Sequence, residues 1–231
     1  MQAANLRPAG QLAQRFGVKG ICYGGPGSGK TPMCNTAPRP VMLVCEPGML
    51  SMRGSTIPAF EAFDYQKVNE FFEWFFKSNE SKAFDTLIID SLSEMSEIYL
   101  SQEKGGSSQA GNQKHGLKAY GGMAEKVLEK VNQLFFYPNK YVWLIAKQQF
   151  MELEGVQTKM PYFPGKVLNV EIPHKFDLIV HAGQVQIPQF VQPVNALRCK
   201  PIFGVFARDR SGNLNEIEPP NLTELFNKCL R

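Results

Sequence analysis

The segment Gly24-Gly25-Pro26-Gly27-Ser28-Gly29-Lys30-Thr31 matches the pattern G-x-x-x-x-G-K-[ST] at every fixed position. It follows an apolar run, Val18–Tyr23, that reads as a strand. Glycines let successive backbone N–H groups converge on phosphate oxygens without interference from Cβ, and the N-terminus of a following helix adds partial positive charge. In such a loop Lys30 reaches the β- and γ-phosphates and the Thr31 hydroxyl ligates Mg²⁺. The expected nucleotide contacts run through Gly25, Pro26, Gly27, Ser28, Gly29, Lys30 and Thr31 to Pro32. Pro32 falls in the first helical turn, where a missing N–H costs little. Pro38 implies that this helix is short.

A metal beside the phosphates needs a carboxylate. Asp90 closes the apolar run Thr86–Ile89 and is expected at the carboxyl end of that strand, beside the loop. Asp90 or Ser91 also suits the N-cap of a helix starting at Leu92, and both roles can coexist. Glu46 ends the run Val41–Cys45, where a carboxylate polarises an attacking water. The same position equally suits a loop acid before Pro47-Gly48. Gln148, after Tyr141–Ala146, is placed to sense the γ-phosphate, or simply to end a strand in a polar group.

These residues need a scaffold, and the apolar runs alternate with helical periodicity. Helices are expected over Gln66–Lys77, Leu92–Gln102, Met123–Phe135 and Leu222–Leu230. In the first, Val68, Phe71, Phe72 and Phe75 share one face; Trp74 lies off that stripe and is a candidate for a subunit interface. Strands are expected at Phe176–His181, Val185–Phe190 and Pro201–Ala207, with a hairpin turn at Ser211-Gly212-Asn213. Gly105–Gly122 holds six glycines and reads as a mobile functional loop, as does Gln149–Lys166. The alternation predicts an α/β fold: a mostly parallel central sheet with helices on both faces and antiparallel strands added near the C-terminus.

The chain of 231 residues is long enough for one large domain, taken as residues 1–231 with 1–17 as an N-terminal extension. At 43% hydrophobic and 20% charged, global disorder is excluded. The longest apolar runs fall well short of the roughly 18 residues a membrane span needs. No secretory leader is evident, and five scattered cysteines without a C-x-x-C pair fit a reducing cytoplasm. A formal net charge of +4 permits nucleic-acid binding without demanding it.

Taken together, the loop, the strand ending in Glu46, the strand ending in Asp90-Ser91 and the strand ending near Gln148 resemble the RecA-fold ATPases. The likeness narrows to small phage-encoded RecA-like ATPases of the Sak type, linked to single-strand annealing and recombination. Five segments carry it: GGPGSGKT, CEPGMLSMRG, FDTLIIDSLSEM, YFPGKVLNVEIPHKFDLIV and VFARDRSGNLNEIEPPNLTELF. One departure is Cys45-Glu46, which stands where such proteins often carry an acid pair or Asp-x-Glu.

The resemblance implies ATP and Mg²⁺ as cofactors, Glu46 as the residue activating water, and Gln148 as the link from the γ-phosphate to a DNA-binding loop. It implies single-stranded DNA held by the segments 105–122 and 149–166, with Lys114, Lys118, Phe150, Lys159 and Tyr162 as candidate contacts. Met160 and Phe163 are further candidates for stacking, with the alternative that the lysines simply suit mobile loops and the aromatics cap the core. The resemblance also implies a ring or filament in the host cytoplasm and a single-strand-binding protein as a further partner. Lys200, Arg208 and Arg210 flank the run Pro201–Ala207, and in such an assembly they are candidates to reach a neighbour's phosphate; Arg208 and Arg210, spaced i, i+2, are expected on one strand face, and a solvated hairpin end is the alternative. Two other functions fit the loop itself: a phosphotransferase acting on a small molecule, and a nucleotide-switched assembly module without motor action.

Overall fold

The computed structural model describes residues 8, 10, 15–105, 113–186 and 191–231. Its strands form one sheet of ten among the described residues. They are β1 (Lys19–Tyr23), β2 (Pro40–Val44), β3 (Ala59–Glu61), β4 (Thr86–Asp90), β5 (Tyr141–Leu153), β6 (Val156–Tyr162), β7 (Leu178–Val185), β8 (Val194–Arg198), β9 (Arg208–Asp209) and β10 (Ile217–Glu218). The order is β10-β8-β7-β1-β5-β4-β2-β3, with β6 on β5 and β9 on β7. From β7 to β3 every pairing is parallel; β6, β8, β9 and β10 join antiparallel. This is the α/β architecture expected from the alternating runs.

The central strands are apolar on both faces because both faces are covered. The helices α1 (Tyr65–Lys77), α2 (Leu92–Gly105), α3 (Gln113–Phe135) and α4 (Lys166–Lys175) bury Phe71, Tyr99, Val127 and Ile172 against one face. The other face is thinner: a 3-10 turn at Pro32–Thr36 and α5 (Leu222–Cys229) bury Met33, Cys34, Leu225 and Phe226 there. Helix α1 starts where the Asp64 side chain accepts from the Lys67 N–H at 2.8 Å. Trp74 lies half-buried at its edge and donates to Glu80 at 3.3 Å. No helix among the described residues is long and apolar enough to cross a membrane.

Five sequence expectations change. Helix α3 begins at Gln113, so most of the supposed loop 105–122 is helical, and 106–112 lie outside the described residues. Its glycines weaken local propensity, but packing against α2 and α4 overrides it, as Ala119 and Met123 are buried. The segment 149–166 is the β5–β6 hairpin followed by the start of α4. Its turn, Glu154-Gly155, takes φ of 51° and 79°, the left-handed pair that matches strand twist.

The expected strand Pro201–Ala207 is instead a turn in which Ile202 and Val205 exchange backbone hydrogen bonds at 3.3 and 3.0 Å. The expected strand Val185–Phe190 contributes only Val185 to β7, 187–190 lie outside the described residues, and the chain returns as β8. Ser211-Gly212-Asn213 turns around the Asp209 carboxylate, which accepts from Ser211 N–H and Leu214 N–H. It leads from β9 on β7 to β10 on β8, so it closes no hairpin.

Candidate functional site

The carboxyl ends of the parallel strands bring the distant motifs together. The glycine-rich loop leaves β1 at Tyr23, Glu46 follows β2, and Asp90 ends β4. Gln148 lies on β5, between β1 and β4 in the sheet. Gly24, Gly25, Lys30, Glu46, Ser91 and Gln148 line one cleft of about 460 Å³. Gly24 has no room for a side chain, because a Cβ there would lie 2.3 Å from the Ala182 carbonyl oxygen. Gly29 has φ of 81°, a conformation that disfavours any other residue.

Lys30 Nζ donates to the Gly24 and Gly25 carbonyls at 2.8 Å and to Ser28 Oγ at 3.2 Å. Burial holds its pKa below the ordinary lysine range, while Asp90 and Glu46 work the other way. The ammonium thus lies inside the loop's curve. The helix expected after the loop is only the five-residue 3-10 turn Pro32–Thr36. So the anion-binding power of this loop comes from local N–H groups and Lys30 more than from a helix dipole.

The Thr31 hydroxyl donates to Asp90 Oδ2 at 2.7 Å. Asp90 is buried, and burial pushes its carboxyl up to about 6; the Thr31 hydrogen bond and Lys30 oppose that rise and Glu46 adds to it. A hydroxyl and a carboxylate side by side are hard oxygen donors of the kind Mg²⁺ takes. Among the described residues no group of three or more His, Cys, Asp or Glu could hold a metal. The donors therefore fit Mg²⁺ carried largely by phosphates and water rather than by a protein cage. The neighbouring strand is tied in through the Cys45 N–H, which donates to the Asp90 carbonyl at 2.7 Å, and half-buried Glu46 follows directly.

The other candidates scatter. Phe150 is exposed on β5, opposite Lys159 on β6. Lys118 is exposed on α3, and the side chain of Lys114 lies outside the described residues. Tyr162 turns inward: it donates to Glu97 at 2.8 Å, and burial with that contact pushes its pKa up to about 12. Met160 and Phe163 are buried in the core beneath it, so they are not surface stacking groups. Lys200 is exposed beyond β8. Arg208 and Arg210 do not share a strand face, because β9 ends at Asp209. They donate to the Pro173 and His174 carbonyls at 2.7 Å, capping the end of α4, and Arg210 also pairs with Asp177 at 3.5 Å. These contacts lie at the amino end of β7, across the sheet from the phosphate loop.

Sequence reasoning passed over His181, on β7. Its Nε2 lies 3.0 Å from Gln148 Oε1, and its ring meets Tyr23 edge-on at 5.1 Å. Only its position at the end of an apolar run signalled it, and no motif spacing did. The Tyr23 hydroxyl in turn lies 2.8 and 2.5 Å from the Lys159 and Phe206 carbonyl oxygens, which share its single proton.

Residues 17–211 match the AAA domain family. No curated protein matches the chain. Among solved structures it is similar to a KaiC-like protein from the hyperthermophilic archaeon Pyrococcus horikoshii OT3, with a TM-score of 0.40 and 11% identity over 79% of this chain and 77% of that one. It is also similar to the flagellar accessory protein FlaH from Methanocaldococcus jannaschii, with a TM-score of 0.39 and 10% identity over 80% of this chain and 78% of that one.

Proposed function

We propose, from the premise that the chain belongs to the AAA domain family and is a P-loop ATPase, that ATP binding gates its contact with single-stranded DNA during phage-type annealing or recombination. The observation that carries this reading is the course of β5. One strand lines the phosphate cleft with Gln148 and, two residues on, exposes Phe150 on a hairpin beyond the cleft. A γ-phosphate contact at Gln148 therefore acts on the base of an element whose surface carries an aromatic ring and Lys159, a pairing suited to base stacking and phosphate contact. The resemblance to Sak-type ATPases in the five quoted segments supports single-stranded DNA as the ligand. It also supports self-association as a ring or filament and cooperation with a single-strand-binding protein.

In this reading the loop N–H groups and Lys30 hold the β- and γ-phosphates. Mg²⁺, when bound, supplies charge neutralisation between those phosphates, and Thr31 with Asp90 would hold it. Glu46 orients water and accepts its proton as the γ-phosphoryl group leaves. Slow turnover suits a chain in which hydrolysis resets DNA contact rather than drives a motor.

The test is fluorescence anisotropy of labelled single-stranded DNA with no nucleotide, ADP, ATP or a non-hydrolysable analogue, each across a salt series. Binding that needs the triphosphate and weakens as salt rises supports the reading. Absence of binding in every state, with ATP hydrolysis intact, overturns the DNA half of it.

A further inference from the structure

We propose that His181 is a positioning residue for Gln148: its Nε2–H holds the Gln148 amide oxygen and so turns the Gln148 NH₂ group toward the phosphate end of the cleft. The proposal rests on the reading of Gln148 as the γ-phosphate contact and adds the residue that sets its direction.

The geometry leaves little choice. His181 Nε2 and Gln148 Oε1 lie 3.0 Å apart, and His181 Nδ1 is buried with no hydrogen-bond partner among the described residues. Burial holds the ring pKa down at about 4, and Lys159 on β6, Arg198 on β8 and Lys30 in the phosphate loop push the same way. At neutral pH the imidazole therefore carries one N–H. With that proton on Nδ1, a buried donor would have no acceptor, and Nε2 would need the amide flipped. With the proton on Nε2, the donor is used, and only an acceptor lone pair is left over, which is the cheaper deficit. The second arrangement fixes the Gln148 amide: oxygen toward His181, NH₂ toward the cleft, where its two hydrogens face phosphate oxygens rather than repel them.

The ring itself is held. Tyr23 packs edge-on against it at 5.1 Å, and Gly183 leaves it room, since a Cβ there would lie 3.0 Å from His181 Cε1. Gln148 alone has free rotation about its terminal amide, and either end could face the nucleotide. An oxygen aimed at the γ-phosphate would be repulsive, so the histidine supplies a direction that the glutamine lacks.

The experiment uses the full chain with Mg·ATP and compares Gln148→Ala, His181→Leu, His181→Gln and the double variant Gln148→Ala/His181→Leu. Leucine keeps the apolar bulk and removes the donor; glutamine places an N–H close to the position of Nε2. The expected result is a fall in kcat of about tenfold in both Gln148→Ala and His181→Leu. ADP affinity stays within about twofold, because the missing contact is to the γ-phosphate. The double variant is no slower than Gln148→Ala, and His181→Gln recovers most of the rate. If Gln148→Ala keeps full kcat, the reading of Gln148 falls and the proposal with it. If Gln148→Ala is slow and His181→Leu is not, the proposal alone is overturned. Effects that multiply in the double variant also overturn it. Should His181→Leu lose ADP binding, His181→Gln decides: near-normal kcat sustains the proposal, and a rate like that of Gln148→Ala overturns it.

Discussion

The Thr31 hydroxyl donates to the Asp90 carboxylate at 2.7 Å, joining the phosphate loop to a strand that is not its neighbour in the sheet. β5 stands between them, so this contact is made above the strand ends rather than along a ladder. The two oxygens are already together where a hard cation beside phosphates would find them.

That juxtaposition predicts coupling. Thr31→Val and Asp90→Asn each lower kcat by about 10- to 100-fold and raise the Mg²⁺ concentration needed for half-maximal turnover. Combined, they lose less than the product of the single losses, because both oxygens serve one ion. Independent, multiplicative losses would sink the shared-site reading. Steady-state rates across a Mg²⁺ titration measure this.

Lys30→Ala removes the charge that lies within the loop, held there by the Gly24 and Gly25 carbonyls. Turnover is expected to fall at least about 100-fold, with ATP affinity reduced as well. Calorimetric titration with ATP and a phosphate-release assay distinguish the two losses. Normal binding and turnover in this variant would remove the cleft as the nucleotide site.

Glu46→Gln keeps the shape of the side chain and loses the base. The expected outcome is ATP affinity within about threefold of the parent and kcat lower by about 10²- to 10⁴-fold. Retention of nucleotide-gated DNA binding in this variant would show that hydrolysis only resets the complex.

On the β5–β6 hairpin, Phe150 and Lys159 predict different signatures. Phe150→Ala weakens single-stranded DNA binding by roughly tenfold or more at every salt concentration. Lys159→Ala lowers the salt dependence by about one phosphate contact. Phe150 is 57% exposed, so the stability of Phe150→Ala changes little. Equal affinity and salt slope in both variants would move the DNA path elsewhere.

Lys19 offers a stability test away from the cleft. Its side chain is buried, with Nζ donating to the Tyr137 and Lys140 carbonyls at 3.0 and 2.8 Å. Burial lowers its pKa to about 7, against 10.5 for a free lysine. Between those values the unfolded chain binds the extra proton, so this residue makes stability rise with pH from about 7 toward 10.5, and its ammonium form penalises folding below 7. The slope approaches about 1.4 kcal/mol per pH unit within that window. Lys19→Met should lose this contribution, so that the parent-minus-variant stability difference in urea denaturation series rises with pH from 7 to 10.

The part of the fold that sequence exposed best was the central sheet. Runs such as Val41–Cys45 and Thr86–Ile89 are buried on both faces and flanked by turn residues, so composition alone marks them. The phosphate loop was legible for a different reason, since its chemistry demands fixed residue types at fixed spacing. The glycines of 105–122 misled because local propensity says loop while packing of Ala119 and Met123 holds a helix. The β5–β6 hairpin was hidden by its polar alternation, and Tyr162 by its partner Glu97, which lies 65 positions away. Arg208 and Arg210 looked like a paired surface motif because sequence does not show that both cap the carbonyls of α4. His181 was invisible for the same reason: a single residue meets Gln148 only through the sheet.

Tyr23 is the last residue of the strand that feeds the phosphate loop, yet its hydroxyl fastens two other segments, at the Lys159 and Phe206 carbonyls. One phenol thus rivets the loop's root to the hairpin's return strand and to the turn beside it. These pieces share a common footing at that one hydroxyl. Among the described residues no comparable hydrogen bond ties the far end of the hairpin, around Glu154-Gly155, to β1. Replacing the phenol by phenylalanine would leave the ring's packing in place and free the joint.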